Sequence, residues 1–86
     1  MNPKEFSDPF RVVAKALGCS PASLSIESAM YRDHGWDSFG HVSVILALEE
    51  AYGIRINDDE IVKYATMRAI QQLYERVSQE EERHTE

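Results

Sequence analysis

The sequence predicts an all-α fold, a small four-helix bundle of three longer helices and one short helix. Two observations lead to this prediction. Apolar residues recur at helical spacing in four segments, and no segment alternates with the period of two that a half-buried strand requires. The chain has 86 residues, 43% of them hydrophobic, which is enough for one core. We therefore expect one domain over residues 1–78, followed by a charged tail at 79–86 that frays.

The four helices are expected at roughly residues 6–17, 38–52, 58–64 and 67–78, with a long loop between the first two. The first helix could begin near residue 3 or near residue 8, because Ser7 or Asp8 before Pro9 resembles an N-cap followed by proline. Within the loop, the SPASL stretch at 20–24 predicts a single helical turn. The residues expected in the core are Phe10, Val13, Leu17, Leu24, Val44, Leu48, Tyr52, Ile61, Ile70 and Leu73.

Capping residues lie at the expected helix ends. Asp37 is suited to cap the second helix, and Gly53 is suited to end it in a left-handed conformation. Asn57 and Glu60 match the spacing of a capping box at the start of the short helix. Thr66 has the side chain of an N-cap for the last helix.

The second helix is apolar on two sides. At about 100° per residue, one broad face is assigned to the core: His41, Val44, Ile45, Leu48, Ala51 and Tyr52. A narrower set of apolar residues, which we call the outer stripe, lies on the opposite side: Phe39, Val42 and Leu46. Glu49 and Glu50 flank it. A bundle normally leaves this side in water, so the outer stripe is either ordinary apolar surface or a docking surface.

Composition excludes several functions. The chain has 15 acidic residues against 9 basic ones, a net charge of −6, which argues against nucleic-acid binding and suits docking on basic partner surfaces. One cysteine, Cys19, excludes an internal disulfide and a cysteine zinc site. His34, His41 and residues 57–60 lack the spacing of zinc or EF-hand ligands, so we expect no metal.

The location expected from the sequence is the cytosol. No apolar run approaches the roughly 20 residues of a transmembrane helix. The N-terminal residues MNPKEFSDPF lack the apolar segment of a signal peptide.

The start of the second helix carries the one distinctive motif, Asp37-Ser38. A phosphate ester on Ser38 would face free backbone N–H groups and the positive end of the helix dipole. Asp37 would partly oppose such an anion, so electrostatics permits the modification without requiring it.

Several motifs together resemble the acyl carrier protein family. Residues 37–42 (DSFGHV) resemble its Asp-Ser-Leu signature, and the resemblance extends over residues 6–77 through LG at 17–18, YGI at 52–54, INDDE at 56–60 and TM at 66–67. Trp36 stands where fatty-acid carriers usually have a small residue, and Phe39 stands where the family mostly has Leu or Met. The acids of residues 37–60 also lie toward the end of the helix rather than its first turns. These departures are typical of a free-standing carrier in a specialised pathway.

The resemblance implies a non-catalytic carrier, and a monomer is expected because a single carrier domain has no need to oligomerise. Ser38, next to Asp37, would hold 4′-phosphopantetheine donated from coenzyme A, and the thiol of this group would carry an acyl or aminoacyl unit of a fatty-acid, polyketide or nonribosomal pathway. The expected partners are a phosphopantetheinyl transferase, a loading ligase or transferase, and downstream biosynthetic enzymes. They would dock on the second helix through Phe39, Val42, Leu46, Glu49 and Glu50.

Two other functions stay open at this point. The chain could be a helical adaptor that binds a protein through the outer stripe and carries no prosthetic group. It could also be a hydrolase built on Ser38 and His41, although a serine nucleophile needs a base and a group that orients the base. Ser38 lacks the G-x-S-x-G context that would favour this reading.

Overall fold

The computed structural model of the chain describes residues 6–32 and 35–84, with side chains described through residue 80. In chain order the elements of this part are helix α1 (Pro9–Leu17), a 3₁₀ turn (Pro21–Ser23), helix α2 (Ser38–Tyr52), a 3₁₀ helix (Asp58–Tyr64) and helix α3 (Met67–His84). Within those residues there is no β-strand, only one isolated bridge between Ala29 and Thr66. The all-α bundle is confirmed, with the 3₁₀ helix as its short member.

Helix α1 begins at the later of its two predicted starts. The Asp8 carboxylate accepts a hydrogen bond from the Phe10 N–H at 2.8 Å, so Asp8 is the N-cap. Phe6 therefore precedes the helix, and the expected start at residue 6 is wrong. Its ring packs edge-on against Tyr52, with the ring centroids 5.6 Å apart. The alternative start near residue 3 lies outside the described residues.

Helix α2 has the predicted bounds because both of its ends are capped locally. The Asp37 carboxylate accepts a hydrogen bond from the Gly40 N–H at 2.9 Å. Gly53 adopts the left-handed conformation with φ 64°, and the Ile54 N–H folds back onto the Glu49 carbonyl at 3.2 Å. The cap residues thus set where α2 starts and where it ends.

The last two helices begin at the predicted residues, but the final one is longer than expected. The Glu60 carboxylate accepts from the Asn57 N–H at 3.2 Å, as in a capping box, and the Thr66 hydroxyl accepts from the Ala69 N–H at 3.1 Å. The predicted end of the fourth helix near residue 78 is wrong, because helical backbone continues through His84. Residues 79–84 are good helix formers without glycine or proline. Residues 85–86 lie outside the described part, and a domain boundary at 78 stays a prediction.

The core lies between α1, α2 and α3. Seven predicted core residues are buried: Val13, Leu24, Val44, Leu48, Tyr52, Ile70 and Leu73. Phe10, Leu17 and Ile61 are only half-buried and pack at its rim, so their placement in the core is wrong. Helical spacing gives the direction of a side chain but not its depth, and Phe10 and Leu17 lie near the ends of α1. Trp36 and Met67 are fully buried instead.

The loop between α1 and α2 is fastened to the start of α3. The Met30 N–H donates to the Ala65 carbonyl at 2.8 Å, and the Met67 N–H donates to the Ser28 carbonyl at 2.9 Å. The 3₁₀ turn at Pro21–Ser23 confirms the predicted single turn. These bonds hold residues 28–30 against the start of α3, and the next residue, Tyr31, contacts Ser38 in the first turn of α2.

Candidate functional site

Ser38 is the first residue of α2, and its side chain is exposed. Asp37 stands beside it as the N-cap, with a carboxylate oxygen turned back to the Gly40 N–H. Among the hydrogen bonds of the described residues, none uses the N–H of Ser38 or of Phe39. The Ser38 hydroxyl therefore lies at the positive end of the helix, close to two free amide donors.

Tyr31 comes from the loop to contact the same hydroxyl. Its phenol oxygen is hydrogen-bonded to the Ser38 Oγ, although its side chain is otherwise exposed. The Tyr31 backbone is in the left-handed region with φ 68°, which is uncommon for a residue other than glycine. Tyr31 cannot be recognised as a site residue from the sequence, since the contact joins residues seven positions apart through a loop.

Trp36 and His41 form a buried pair directly beneath the site. The Trp36 Nε1–H donates to His41 Nδ1 at 3.0 Å, and His41 Nε2 lies 2.8 Å from the Ile61 carbonyl oxygen. A carbonyl can only accept, so Nε2 carries the proton and Nδ1 accepts from the indole. This neutral imidazole ties the start of α2 to the 3₁₀ helix. The assignment of His41 to the core face of α2 is confirmed, whereas His34 lies outside the described residues.

The same contacts leave the hydrolase hypothesis without a base. Both ring nitrogens of His41 are engaged with Trp36 and Ile61, so neither is directed at Ser38. A serine nucleophile needs a base within hydrogen-bond reach. The group that does reach Ser38 is a tyrosine hydroxyl.

Gly40 allows the loop to pack on the first turn of α2. A Cβ at this position would clash with the Gly35 carbonyl oxygen and lie 2.9 Å from Leu17 Cδ2. The backbone of residue 35 therefore lies directly against the helix. From this contact the loop continues through Trp36 to Asp37, the N-cap. A glycine inside a predicted helix is the sequence signal that could have revealed this close approach.

The outer stripe is exposed, as its position on the helix predicted. The exposed fractions are 89% for Phe39, 57% for Val42 and 59% for Leu46. Two further large apolar side chains are exposed, Tyr31 at 71% and Val62 at 73%, and Tyr31 contacts Ser38. Val62 lies in the 3₁₀ helix and follows Ile61, whose carbonyl oxygen is hydrogen-bonded to His41 of α2.

The two acids predicted to flank the outer stripe have different environments. Glu49 is half-buried, and its carboxylate accepts from the Ile56 N–H at 2.8 Å. It therefore fastens the segment after α2. Glu50 is exposed and lines an open groove between α1 and α2, together with Arg11, Lys15 and Leu46. Of the two, Glu50 has the carboxylate that is free to meet a partner.

Metal sites and membrane-spanning helices were also sought in the described part of the chain. Across residues 6–32 and 35–84, no three histidine, cysteine or acidic side chains gather as a metal would require. None of the helices described is both long enough and apolar enough to span a membrane.

Two comparisons bear on the site. The family profile described as "Phosphopantetheine attachment site" matches residues 11–73. A curated "Acyl carrier protein" from Wolinella succinogenes is 39% identical over 62 residues, which are 72% of this chain and 82% of that protein. The region matched by the profile includes the loop, Ser38, all of α2 and the 3₁₀ helix. An exposed hydroxyl beside two free amide donors is a suitable place for a phosphate ester.

Proposed function

Because this chain belongs to the acyl carrier protein family, whose members are carriers holding covalent 4′-phosphopantetheine rather than catalysts, we propose that Ser38 is its attachment residue. The observation that supports this most directly is the exposed Ser38 hydroxyl at the start of α2, within the matched region. The Ser38 and Phe39 N–H groups and the helix dipole favour a phosphodiester there. Asp37 supports the site by capping the helix.

The attachment reaction uses Ser38 as a nucleophile toward coenzyme A. The Ser38 Oγ bonds to the phosphorus that carries the pantetheine, and the bond from that phosphorus to the nucleotide phosphate breaks. The adenosine bisphosphate leaves, and the Ser38 proton passes to a base of the phosphopantetheinyl transferase. The attached group supplies a thiol that holds an acyl or aminoacyl unit as a thioester.

The outer stripe is the proposed docking surface for the transferase, the loading ligase or transferase, and the downstream enzymes. Val42 and Leu46 lie four and eight residues after Ser38, which is roughly 6 and 12 Å along the helix at 1.5 Å per residue. An enzyme that covers them has its active site close to Ser38. Phe39 and Glu50 extend this surface, whereas Glu49 is engaged within the chain.

We also propose a pathway class, a cargo class, an oligomeric state and a location for this carrier. The departures at Trp36 and Phe39 support a carrier of a specialised pathway, with either an acyl or an aminoacyl cargo. A monomer in the cytosol is the expected state of the carrier.

The test is the intact mass of the purified protein after incubation with coenzyme A and a broad-specificity phosphopantetheinyl transferase. Wild type should gain one phosphopantetheine, and Ser38→Ala should gain none while melting like wild type, since Ser38 is exposed. Ser43→Ala is the matched control, an exposed serine of the same helix, and should be modified normally. Modification of the Ser38→Ala protein would show that Ser38 is the wrong residue.

The exposure of the outer stripe also favours a second function, the helical adaptor without a prosthetic group. The same mass measurement separates the two. A folded wild-type protein that gains no mass with an active transferase would support the adaptor over the carrier.

A further inference from the structure

We propose that Tyr31 is a positioning residue for the prosthetic group. Its phenol orients the Ser38 hydroxyl before attachment and hydrogen-bonds the phosphodiester afterwards. This inference rests on the proposed attachment at Ser38 and concerns a residue outside the helix that carries the serine.

The contact is made by the far end of an exposed side chain. Tyr31 has 71% of its surface exposed, and its hydroxyl nevertheless lies on the Ser38 Oγ. Burial of the ring does not explain this placement, because so much of it stays in water. The hydrogen bond restricts the rotation of the Ser38 side chain, which otherwise has three staggered positions at an exposed helix start.

The backbone holds Tyr31 in this place from both sides. The preceding Met30 N–H donates to the Ala65 carbonyl at 2.8 Å, and the Tyr31 N–H donates to the Trp36 carbonyl at 2.6 Å. Trp36 is itself fixed by the hydrogen bond from its indole to His41. A left-handed tyrosine is strained, and such strain persists where surrounding contacts determine the conformation, often at functional sites.

Attachment changes what the phenol can bind. The Ser38 Oγ becomes an ester oxygen, which has lost its proton and is a weak acceptor. The phosphodiester beside it carries a negative charge on oxygens that accept hydrogen bonds strongly. A phenol O–H is a donor and can satisfy them. The Asp37 carboxylate, turned toward Gly40, can only repel this anion, so a neutral donor from the loop offsets that repulsion.

The test compares Tyr31→Phe with wild type in two measurements. The first is kcat/KM for modification by the transferase, and the second is the ³¹P chemical shift of the modified protein. Loss of one neutral hydrogen bond should lower kcat/KM by roughly 2- to 10-fold. The ³¹P resonance should move because its hydrogen-bond donor is gone. A purely structural role of the ring would leave the ³¹P position unchanged.

Tyr64→Phe is the matched control. It also removes one phenol hydroxyl with a hydrogen bond, in this case to Arg76 at 3.1 Å, and Tyr64 lies in the 3₁₀ helix. This control should keep both the wild-type kcat/KM and the wild-type ³¹P shift. A wild-type value for Tyr31→Phe in either measurement would overturn the role of Tyr31.

A second measurement covers the case in which Tyr31→Phe does not fold. 3-Fluorotyrosine placed at position 31 keeps the ring and hydroxyl, and its ¹⁹F resonance should shift when the group is attached. An unmoved resonance would overturn the proposal. A wild-type protein that is not modified at Ser38 at all refutes the proposed function together with this inference, whereas normal modification of Tyr31→Phe with an unchanged ³¹P shift refutes the inference alone.

Discussion

His41 lies one helical turn after Ser38, yet its side chain points into the protein. It is 3% exposed and links the Trp36 indole to the Ile61 carbonyl. Truncation would leave the buried Trp36 indole N–H and the half-buried Ile61 carbonyl without their partner. The role of His41 is therefore structural. His41 lies near Ser38 because it holds the start of α2 against the 3₁₀ helix.

His41→Ala should lower the free energy of unfolding by roughly 2–6 kcal/mol, since it leaves two polar groups unpaired at about 1–3 kcal/mol each. At a temperature where the variant is still folded, it should accept the prosthetic group, because neither ring nitrogen bonds to Ser38. Chemical denaturation and intact mass measure the two effects. A stable variant that can no longer be modified would contradict this structural role.

Tyr52 makes stability depend on alkaline pH. Burial, and to a smaller extent Tyr74 and Asp8, raises the pKa of the Tyr52 phenol above its ordinary value of about 10. Above about pH 10 the unfolded chain loses this proton while the folded chain keeps it, so stability falls as pH rises; below that pH both states are protonated and the group has no effect. The phenol also donates to the Ser7 carbonyl at 3.0 Å.

Tyr52→Phe should therefore flatten the alkaline loss of stability. The measurement is the free energy of unfolding from pH 8 to 12 for wild type and variant. The variant should be less stable by about 1 kcal/mol near pH 8, where it lacks the hydrogen bond to Ser7. Its free energy should then decline less steeply above pH 10. Parallel curves over the whole range would contradict the prediction.

Helix α2 packs one side on the core and leaves the outer stripe in water. Leu46→Asp should leave the melting temperature nearly unchanged, because exposed substitutions usually stay within about 0.5 kcal/mol. Modification or loading by a partner should nonetheless fall, since an apolar anchor near the centre of an interface can contribute about 2 kcal/mol or more. Ser43→Asp, which adds the same charge at an exposed polar position of the helix, is the control. A folded Leu46→Asp protein that is loaded at the wild-type rate would identify the stripe as ordinary surface.

The two glutamates at the end of α2 should respond differently to charge reversal. Glu49→Lys removes the acceptor for the Ile56 N–H and should lower the free energy of unfolding by about 1–3 kcal/mol. Glu50→Lys breaks no hydrogen bond within the described residues and should slow partner association, most clearly at low salt. Thermal melts and association rates at two salt concentrations measure these effects. Equal stability of both variants would contradict the assignment of Glu49 to the fold.

The molecule as a whole is held by a core whose last described buried residue is Val77. Removing residues 79–86 should therefore change the free energy of unfolding by less than about 1 kcal/mol, apart from the shortening of α3. Leu48→Ala is the comparison that shows the sensitivity of the assay, because emptying a fully buried site should cost about 2–5 kcal/mol. A truncated protein as unstable as Leu48→Ala would place residues 79–86 inside the domain.

The local features of this protein follow from its sequence. The caps at Asp37 and Gly53 bond to residues within a few positions, so the ends of α2 are encoded next to where they occur. The opposed faces of α2 follow from helical geometry alone, and the exposure of Phe39 agrees with that geometry. The position of Ser38 at a helix start is local in the same sense.

Only the tertiary structure decided what lies around those features. The contacts from Tyr31 to Ser38 and from His41 to Ile61 depend on the path of the loop and on the docking of the 3₁₀ helix. No short-range pattern encodes that path, because it results from many weak contacts formed together. The same cause explains the depth of side chains: Trp36, which belongs to no helix, is fully buried, whereas Phe10 on a helix face is only half-buried. Helical periodicity determines the direction in which a side chain points, and tertiary packing determines how deeply it is buried.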